Sequence, residues 1–344
     1  MGKTISIYEL MNNAEVIEGV NPNDISEEIL SANKPIILKG LVSDWPMVQK
    51  SQSSTRAAMD YLAEFDSGMT IGAGFLPSHF AGRLFYNDDL SGFNFDRVNT
   101  TLADFFTHFI GNIESANPNG MYVGSTHVDK LLPGFRKNND LASLSDKKPL
   151  VSIWLSNRTR ISAHHDVPSN IACCVSGKRR FTLFPPEQIE NLYIGPLDNT
   201  PAGQAISLVD FNEPDFDKFP KFKQAIETGI VAELSPGDAL FLPSMWWHHV
   251  EGLGEFNVLV NYWWQNNPAY MGAPMDALFH ALLNIKNLPE AERIAWKAMF
   301  DHYVFEPNDS NLDHIPKTQL GILDSDSEMT ARRIRSLLLN KLNR

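Results

Sequence analysis

From about residue 121 to residue 265 the chain is cut into short β-forming runs by turn signals, and this limits its possible folds more than any other feature. The runs fall at 121–124, 151–155, 171–175, 179–184, 239–242 and 258–264. Ser176-Gly177, Pro185-Pro186 and Ser235-Pro236-Gly237-Asp238 separate several of them. Many short strands broken in this way predict a sandwich or barrel, and a jelly roll is one such closure. The flanks differ. Upstream, residues 26–31 read as helix, 35–38 as a short strand ending at Gly40, and 101–110 as an amphipathic helix with Leu102, Phe105, Phe106 and Phe109 in register. Asn117-Pro118-Asn119-Gly120 marks a boundary. Beyond Pro268 the pattern turns helical, at 277–285, from Pro289 onward and at 327–342. The expected organisation is an N-terminal α/β segment (1–120), a mainly β core (121–266) and a C-terminal helical region (267–344). Within the core, residues 210–222 are acidic but carry Phe211, Phe216, Phe219 and Phe222, which predicts an ordered excursion and not disorder.

Two runs carry chemistry. His164-His165-Asp166 places an imidazole and a carboxylate two residues apart, on one face if the segment is a strand. Trp246-Trp247-His248-His249 offers a third ligand, His248, 248 − 164 = 84 residues later. Two histidines and one carboxylate on one face of an ion, with its other positions open, suit a non-heme Fe(II) oxygenase. Taken singly, each run has a plainer reading: a strand histidine with a solvated aspartate, and a satisfied histidine beside two core tryptophans. The surroundings weigh against both. A Pro-Gly-Asp turn feeds an apolar run that ends at Pro243 just before His248, and Asn257, Leu259, Asn261 and Trp263 alternate onto one face. Polar groups on a core face need partners, and a cofactor pocket supplies them. On residues 178–184 alternation sends Arg179, Phe181 and Leu183 inward, leaving Lys178, Arg180 and Thr182 on a solvated face.

At this point the stretch from Tyr122 to Trp264 resembles the JmjC-type cupin (double-stranded β-helix, jelly-roll) 2-oxoglutarate oxygenases, and among them the asparaginyl hydroxylases most. The runs that carry the resemblance are His164-His165-Asp166 with Asn170, Phe184-Pro185-Pro186-Glu187-Gln188, Val209-Asp210-Phe211-Asn212 through Phe219-Pro220, Pro236-Gly237-Asp238, Trp246-Trp247-His248-His249 and Asn261-Tyr262-Trp263. Residues 34–40 with Asp44-Trp45-Pro46 resemble the family's entry segment. The resemblance implies Fe(II) on His164, Asp166 and His248, with His249 facing away. It also implies 2-oxoglutarate as cosubstrate, its distal carboxylate held by Arg179 where the family has lysine, helped by Tyr122, with Asn170, Asn261 and Trp263 lining the pocket. Ile161 stands where a family member has a hydroxyl. Hydroxylation of a protein side chain or a small amino-acid-like molecule is the implied reaction. A cupin carrying another divalent metal, and a ligand-binding sensor without activity, stay open as alternatives.

Charge and composition narrow the partners. Net charge is −12 and the pI about 5.3, with no clustering of Lys/Arg with aromatics, so nucleic acid is not expected. No apolar run approaches the roughly 18 residues of a membrane span. The N-terminus lacks the apolar stretch of a secretory signal, and its loose myristoylation pattern, Met1-Gly2 through Ser6, reads as coincidence. Cys173 and Cys174 are adjacent and the only cysteines, so no disulfide framework exists and a cytoplasmic protein is expected. They read as buried strand residues, one facing in and one out. The C-terminal stripes Trp296, Met299, Phe300, Tyr303 and Ile334, Leu337, Leu338, Leu342, together with the resemblance, predict a homodimer built from residues 270–344.

Overall fold

Alternation of side chains along eight short strands produces two facing sheets. In chain order the strands are β1 (Leu150–Ser156), β2 (Arg160–His165), β3 (Ser169–Ser176), β4 (Arg179–Phe184), β5 (Ile230–Leu234), β6 (Ala239–Leu242), β7 (Trp247–Gly252) and β8 (Asn257–Trp264). This is a computed structural model, and it describes residues 6–201, 203–268, 270–306, 312–324 and 327–342. Residues Met1–Ile5, which carry all of the myristoylation-like pattern except Ser6, and Asn343–Arg344 lie outside the described residues. One sheet runs β6-β3-β8-β1 and the other β5-β4-β7-β2, with every neighbouring pair antiparallel. Together they form a jelly roll.

The N-terminal segment extends these sheets. Ile36–Lys39 pairs with β6 and Glu15–Glu18 pairs with Ile36–Lys39 in turn. At the opposite edge Gly120–His127 pairs with β1, Ile71–Leu76 follows, and Asp96–Thr100 is outermost. The helix Leu102–Ile113 begins where Thr101 accepts a hydrogen bond from the Asp104 N–H, and it buries Leu102, Phe105, Phe106 and Phe109, the face its spacing predicts.

Each sheet face has its own core. Inside the barrel lie Ala172, Cys174, Phe181, Leu183, Leu240, Val250 and Leu259. The other phase of the same strands, including Ile171, Cys173, Val258, Val260 and Tyr262, packs on Met47, Leu62, Phe105, Phe109 and Phe135. So the cysteine pair does point to opposite faces, both thiols free and fully buried. A third core covers the outer face of the second sheet, where the long excursion lays Phe211, Phe219 and Phe222 against Ala163, Phe184 and Trp247. That core corrects one expectation. Thr182 is fully buried and Arg180 is held between Glu233 and Glu251, so this face of β4 is covered and not solvated.

After Gln265 a second compact unit begins. It contains the helices Pro274–Asn284, Glu290–Phe300 and Glu328–Leu342. Among its described residues only Thr330 is buried, and it holds no buried hydrophobic side chain. No helix among the described residues is long and apolar enough to cross a membrane.

The Pro-Gly-Asp turn before β6 is a hub of the first unit. Gly237 sits at φ +103°, where a Cβ would meet Ser43 Oγ at 2.5 Å. Asp238 is 3% exposed and accepts hydrogen bonds from Ser235 N–H (2.9 Å), Gly40 N–H (3.0 Å) and Lys39 Nζ (2.8 Å). Asp238→Ala strands two backbone donors and separates strand Ile36–Lys39 from the core. Its expected cost is about 2–4 kcal/mol, read as the loss in urea-unfolding free energy; a loss below about 0.5 kcal/mol would contradict the assigned role.

Candidate metal centre

The site begins with strand register. β7 runs antiparallel to β2 with His248 directly opposite His164 and Trp247 opposite His165. Opposed residues share a face, so the His164 and His248 rings meet, their centroids 4.3 Å apart. Asp166 lies just beyond the end of β2, on the turn and not on the strand as the two-residue spacing suggested. There its carbonyl accepts the Met245 N–H (2.9 Å), which holds the turn against the approach to β7. One ligand atom from each of His164, Asp166 and His248 lies within 4.8 Å of the others.

Tautomers follow from the backbone. His164 Nδ1 is 2.9 Å from the Ser162 carbonyl and His248 Nδ1 is 2.9 Å from the Trp246 carbonyl. A carbonyl only accepts, so both Nδ1 atoms carry a proton and both Nε2 atoms are turned to the shared space. Burial, reinforced by His248, pushes the His164 imidazolium down to about 4, which keeps the ring neutral near pH 7. Burial alone would raise the Asp166 carboxyl, but His248 beside it, with His164 and His165, holds it below its ordinary value. His248 Nε2 and Asp166 Oδ2 are 3.6 Å apart. Two imidazoles and one carboxylate converge as a donor set suited to a divalent cation.

The three residues line a cavity of about 330 Å³ together with Tyr122, Asn170, Arg179, Asn261 and Trp263. All five residues marked from the sequence as cosubstrate contacts therefore share one space with the candidate ligands. Arg179 is 4% exposed, and its Nε and Nη2 have no partner among the described residues. Burial lowers the affinity of its guanidinium for its proton, and no carboxylate among the described residues pairs with it. Asn261 donates to Asn170 Oδ1 (3.0 Å), leaving its own Oδ1 unpaired, and Trp263 Nε1 is unpaired as well. Buried polar atoms without partners, converging on one cavity, call for a polar ligand.

Residues 22–270 match the family described as Cupin-like domain. The chain belongs to that family of JmjC-type cupins. It is 26% identical over 274 residues to lysine-specific demethylase JMJ31 of Arabidopsis thaliana, covering 71% of this chain and 48% of that protein. Its identity to lysine-specific demethylase 8 of Xenopus tropicalis is 24% over 249 residues, 69% of this chain and 49% of the relative. A shorter match, 36% over 106 residues, joins it to tRNA wybutosine-synthesizing protein 5 of Mus musculus, covering 31% of this chain and 30% of that protein. The chain thus spans about half the length of the two demethylases and less of the third relative.

Residues beside the cupin ligands behave differently. His165 packs edge-on against Trp247 at 4.6 Å, and His249 lies over Phe211 at 4.6 Å with both ring nitrogens unpaired. Neither belongs to the convergent trio. Asn257 corrects an expectation: its amide binds the Asn157 and Gly254 carbonyls (2.9 Å each) and the Gly254 N–H (3.0 Å), so it ties two turns together and stays out of the pocket. The sequence reading missed Trp154, whose unpaired Nε1 and half-buried ring wall the pocket 5.7 Å from Trp263. Its phase was readable: Val151, Ile153 and Leu155 form the apolar core face of the strand, and Ser152, Trp154 and Ser156 share the opposite one.

His249 sets an acid limit on stability. Burial, with Arg160 nearby, pushes it down to about 3 in the fold against an ordinary 6.5. The unfolded chain therefore binds a proton that the fold refuses. This contribution is complete above pH 6.5 and is lost as pH falls from there toward 3, with a slope of up to ~1.4 kcal/mol per pH unit. His164 adds a loss of the same sign. In chelator-treated protein, His249→Phe is expected to make the fall in urea-unfolding free energy between pH 7 and pH 5 visibly shallower; an unchanged slope would show that His249 is not held neutral.

Proposed function

We propose that the chain is an Fe(II)- and 2-oxoglutarate-dependent dioxygenase that hydroxylates a protein side chain or a small amino-acid-like molecule. JmjC-type cupins are oxygenases of this class, and the motif runs shared with the asparaginyl hydroxylases favour hydroxylation. The observation that carries the reading is Arg179, a buried guanidinium without a counter-ion in the same cavity as a two-histidine, one-carboxylate set. A free dicarboxylate answers both ends of that cavity: its keto-acid end suits the metal, and its distal carboxylate suits a guanidinium that binds bidentately. Bound there, iron and 2-oxoglutarate would supply the oxidising chemistry, with succinate and CO₂ as the cosubstrate's products. His164, Asp166 and His248 would hold the metal, their Nδ1 contacts to Ser162 and Trp246 fixing the rings. Tyr122, whose hydroxyl burial keeps protonated, would donate to the same carboxylate as Arg179. Asn170, Asn261 and Trp263 would line the cosubstrate. Several relatives are named for tRNA wybutosine synthesis, but a net charge of −12 speaks against a polyanionic substrate.

Succinate release in the presence of Fe(II), and not Zn(II), tests the class. Asp166→Ala is expected to abolish it along with tight metal binding. Arg179→Ala is expected to weaken 2-oxoglutarate binding by about 30-fold or more, the equivalent of at least ~2 kcal/mol, while Lys178→Ala changes it less than about threefold. Cosubstrate binding without any succinate would favour a sensor, and equal effects of the two substitutions would overturn the Arg179 assignment.

We also infer that residues 270–344 dimerise. Trp296, Met299 and Tyr303 are 45%, 48% and 46% exposed, and Ile334, Leu337, Leu338 and Leu342 are exposed as well. A groove of about 850 Å³ within this unit is lined by Trp296, Phe300, Ile334 and Leu338, and a two-fold partner is the commonest cover for such a surface. Sedimentation of the full chain is expected to give a dimer at micromolar concentration, and a chain ending near Asn267 a monomer. A monomeric full chain rules the dimer out.

A further inference from the structure

The metal-side cavity has a neighbour. A second cavity, about 470 Å³, shares Tyr122, Ser125, Trp154 and Ile161 with it, so the two spaces meet at that common wall. The far side of the second cavity is built from the N-terminal strands. Gly72 and Gly74 on Ile71–Leu76 pair with Asn99 and Arg97 on the outermost strand, and Gly74 pairs with Tyr122 on its other side. Paired residues share a face, so glycine, arginine and tyrosine all present to the same cavity, which Gly124 also lines.

Glycine in the interior of a strand is unfavourable and needs a reason. Gly72 and Gly74 do not have positive φ, so no backbone conformation demands them. Nor does packing demand Gly72: a Cβ there would meet nothing within 4 Å. Its neighbours Ile71 and Ala73 are buried in the core on the opposite face. What glycine achieves at this position is an uncovered peptide floor over open space, the arrangement expected where a ligand lies close to backbone. Aromatic rings of Phe95, Tyr122 and Trp154 stand around this floor.

The rim carries charge. The Arg97 guanidinium lies 4.9 Å from the Phe93 ring and 5.5 Å from the Phe95 ring, and Nη2 donates to the Pro201 carbonyl at 2.7 Å. It has no carboxylate partner among the described residues, in a chain whose net charge is −12. Its remaining N–H groups are free to take an anion.

We infer that this second cavity is the substrate compartment and that it takes a small carboxylate with a flat apolar body, of about the size of an aromatic amino acid. The body would lie on the Gly72 floor beside Phe95, whose ring covers Gly74, with the carboxylate at Arg97 and the far end toward the wall shared with the metal-side cavity. The volume falls within the roughly 300–1,000 Å³ typical of small-molecule sites. This assignment rests on the proposed reading of the neighbouring cavity as the metal and cosubstrate site.

The test uses the full chain loaded with Mn(II) and 2-oxoglutarate, and titrates phenylalanine, 3-phenylpropionate and the neutral 3-phenylpropan-1-ol by calorimetry. The two carboxylates are expected to bind at least about 10-fold more tightly than the alcohol, the factor that one charge-assisted contact supplies. Arg97→Gln is expected to remove that preference, and Gly72→Leu, which fills the floor, to abolish binding of all three. A thermal midpoint and a 2-oxoglutarate titration on each variant report whether its fold and metal-side cavity are intact; should Gly72→Leu not fold, Arg97→Gln still decides. Failure of both carboxylates to bind at millimolar concentration overturns the inference, as does equal binding of carboxylate and alcohol or binding undiminished in Gly72→Leu. If wild-type protein binds neither Mn(II) nor 2-oxoglutarate, the oxygenase reading itself fails; if it binds both and no probe, only the substrate assignment does.

Discussion

Everything at the candidate centre depends on which residue of β7 stands opposite which residue of β2. With His248 facing His164, two imidazoles enter one space, and each ring is oriented by a carbonyl two residues earlier in the chain, Ser162 for one and Trp246 for the other. The same pairing sends His165 and His249 to the other face, where Trp247 and Phe211 receive them. Because side chains alternate with a period of two, a slip of one residue would exchange the two sets. Hydrophobic packing on the outer face and ligand geometry on the inner face are therefore fixed by one register. The irregularity between His248 and Val250 follows the ligand and leaves its pairing with His164 intact.

Charge explains why the cavity holds polar atoms that nothing satisfies. Asp166 supplies one negative charge and Arg179 one positive charge within the same enclosed space, yet they are not paired with each other. Adding a divalent cation alone would leave the space strongly positive. Adding a dicarboxylate dianion as well brings the total to neutral, with each carboxylate adjacent to a cation. In a low-dielectric cavity such balance matters more than at a surface, because unpaired charge there is not relieved by water. The unpartnered guanidinium and the convergent donor set are two sides of one requirement.

Much of this was legible in the strand pattern. Arg179, Phe181 and Leu183 share the barrel face as their alternation indicates, and Leu102, Phe105, Phe106 and Phe109 line the buried side of their helix. What escaped has physical causes. Ile71–Leu76 is broken by two glycines and Asp96–Thr100 is almost wholly polar, so neither shows the apolar alternation that marks a half-buried strand. Trp154 shares the phase of Ser152 and Ser156, opposite the core residues Val151, Ile153 and Leu155, so its face was readable but its place between two cavities was not. Asn257 does share the phase of Asn261, but it lies at the strand's beginning, where turn carbonyls are within reach of its amide and the cavity is not. Phase tells which face a side chain takes, and position along the strand decides what it meets there.

The division of the two cavities suggests where members of this family come to differ. Ligands and candidate cosubstrate contacts come almost entirely from β2, β3, β4, β7 and β8, whose geometry is set by the closed barrel. The second cavity takes its floor from Ile71–Leu76, which is paired on both sides, and its rim from Asp96–Thr100, the outermost strand, whose far side is unpaired and whose side chains are exposed. A substitution at the edge changes the compartment without disturbing the register that holds the centre. If the second cavity is the substrate compartment, the rim residues that would choose the substrate are under a weaker packing constraint than those that hold the centre. Tyr122 and Trp154, which border both cavities, are the exception. A change at either would be felt in both cavities, so on the proposed reading substrate recognition and cosubstrate retention would be coupled at that point.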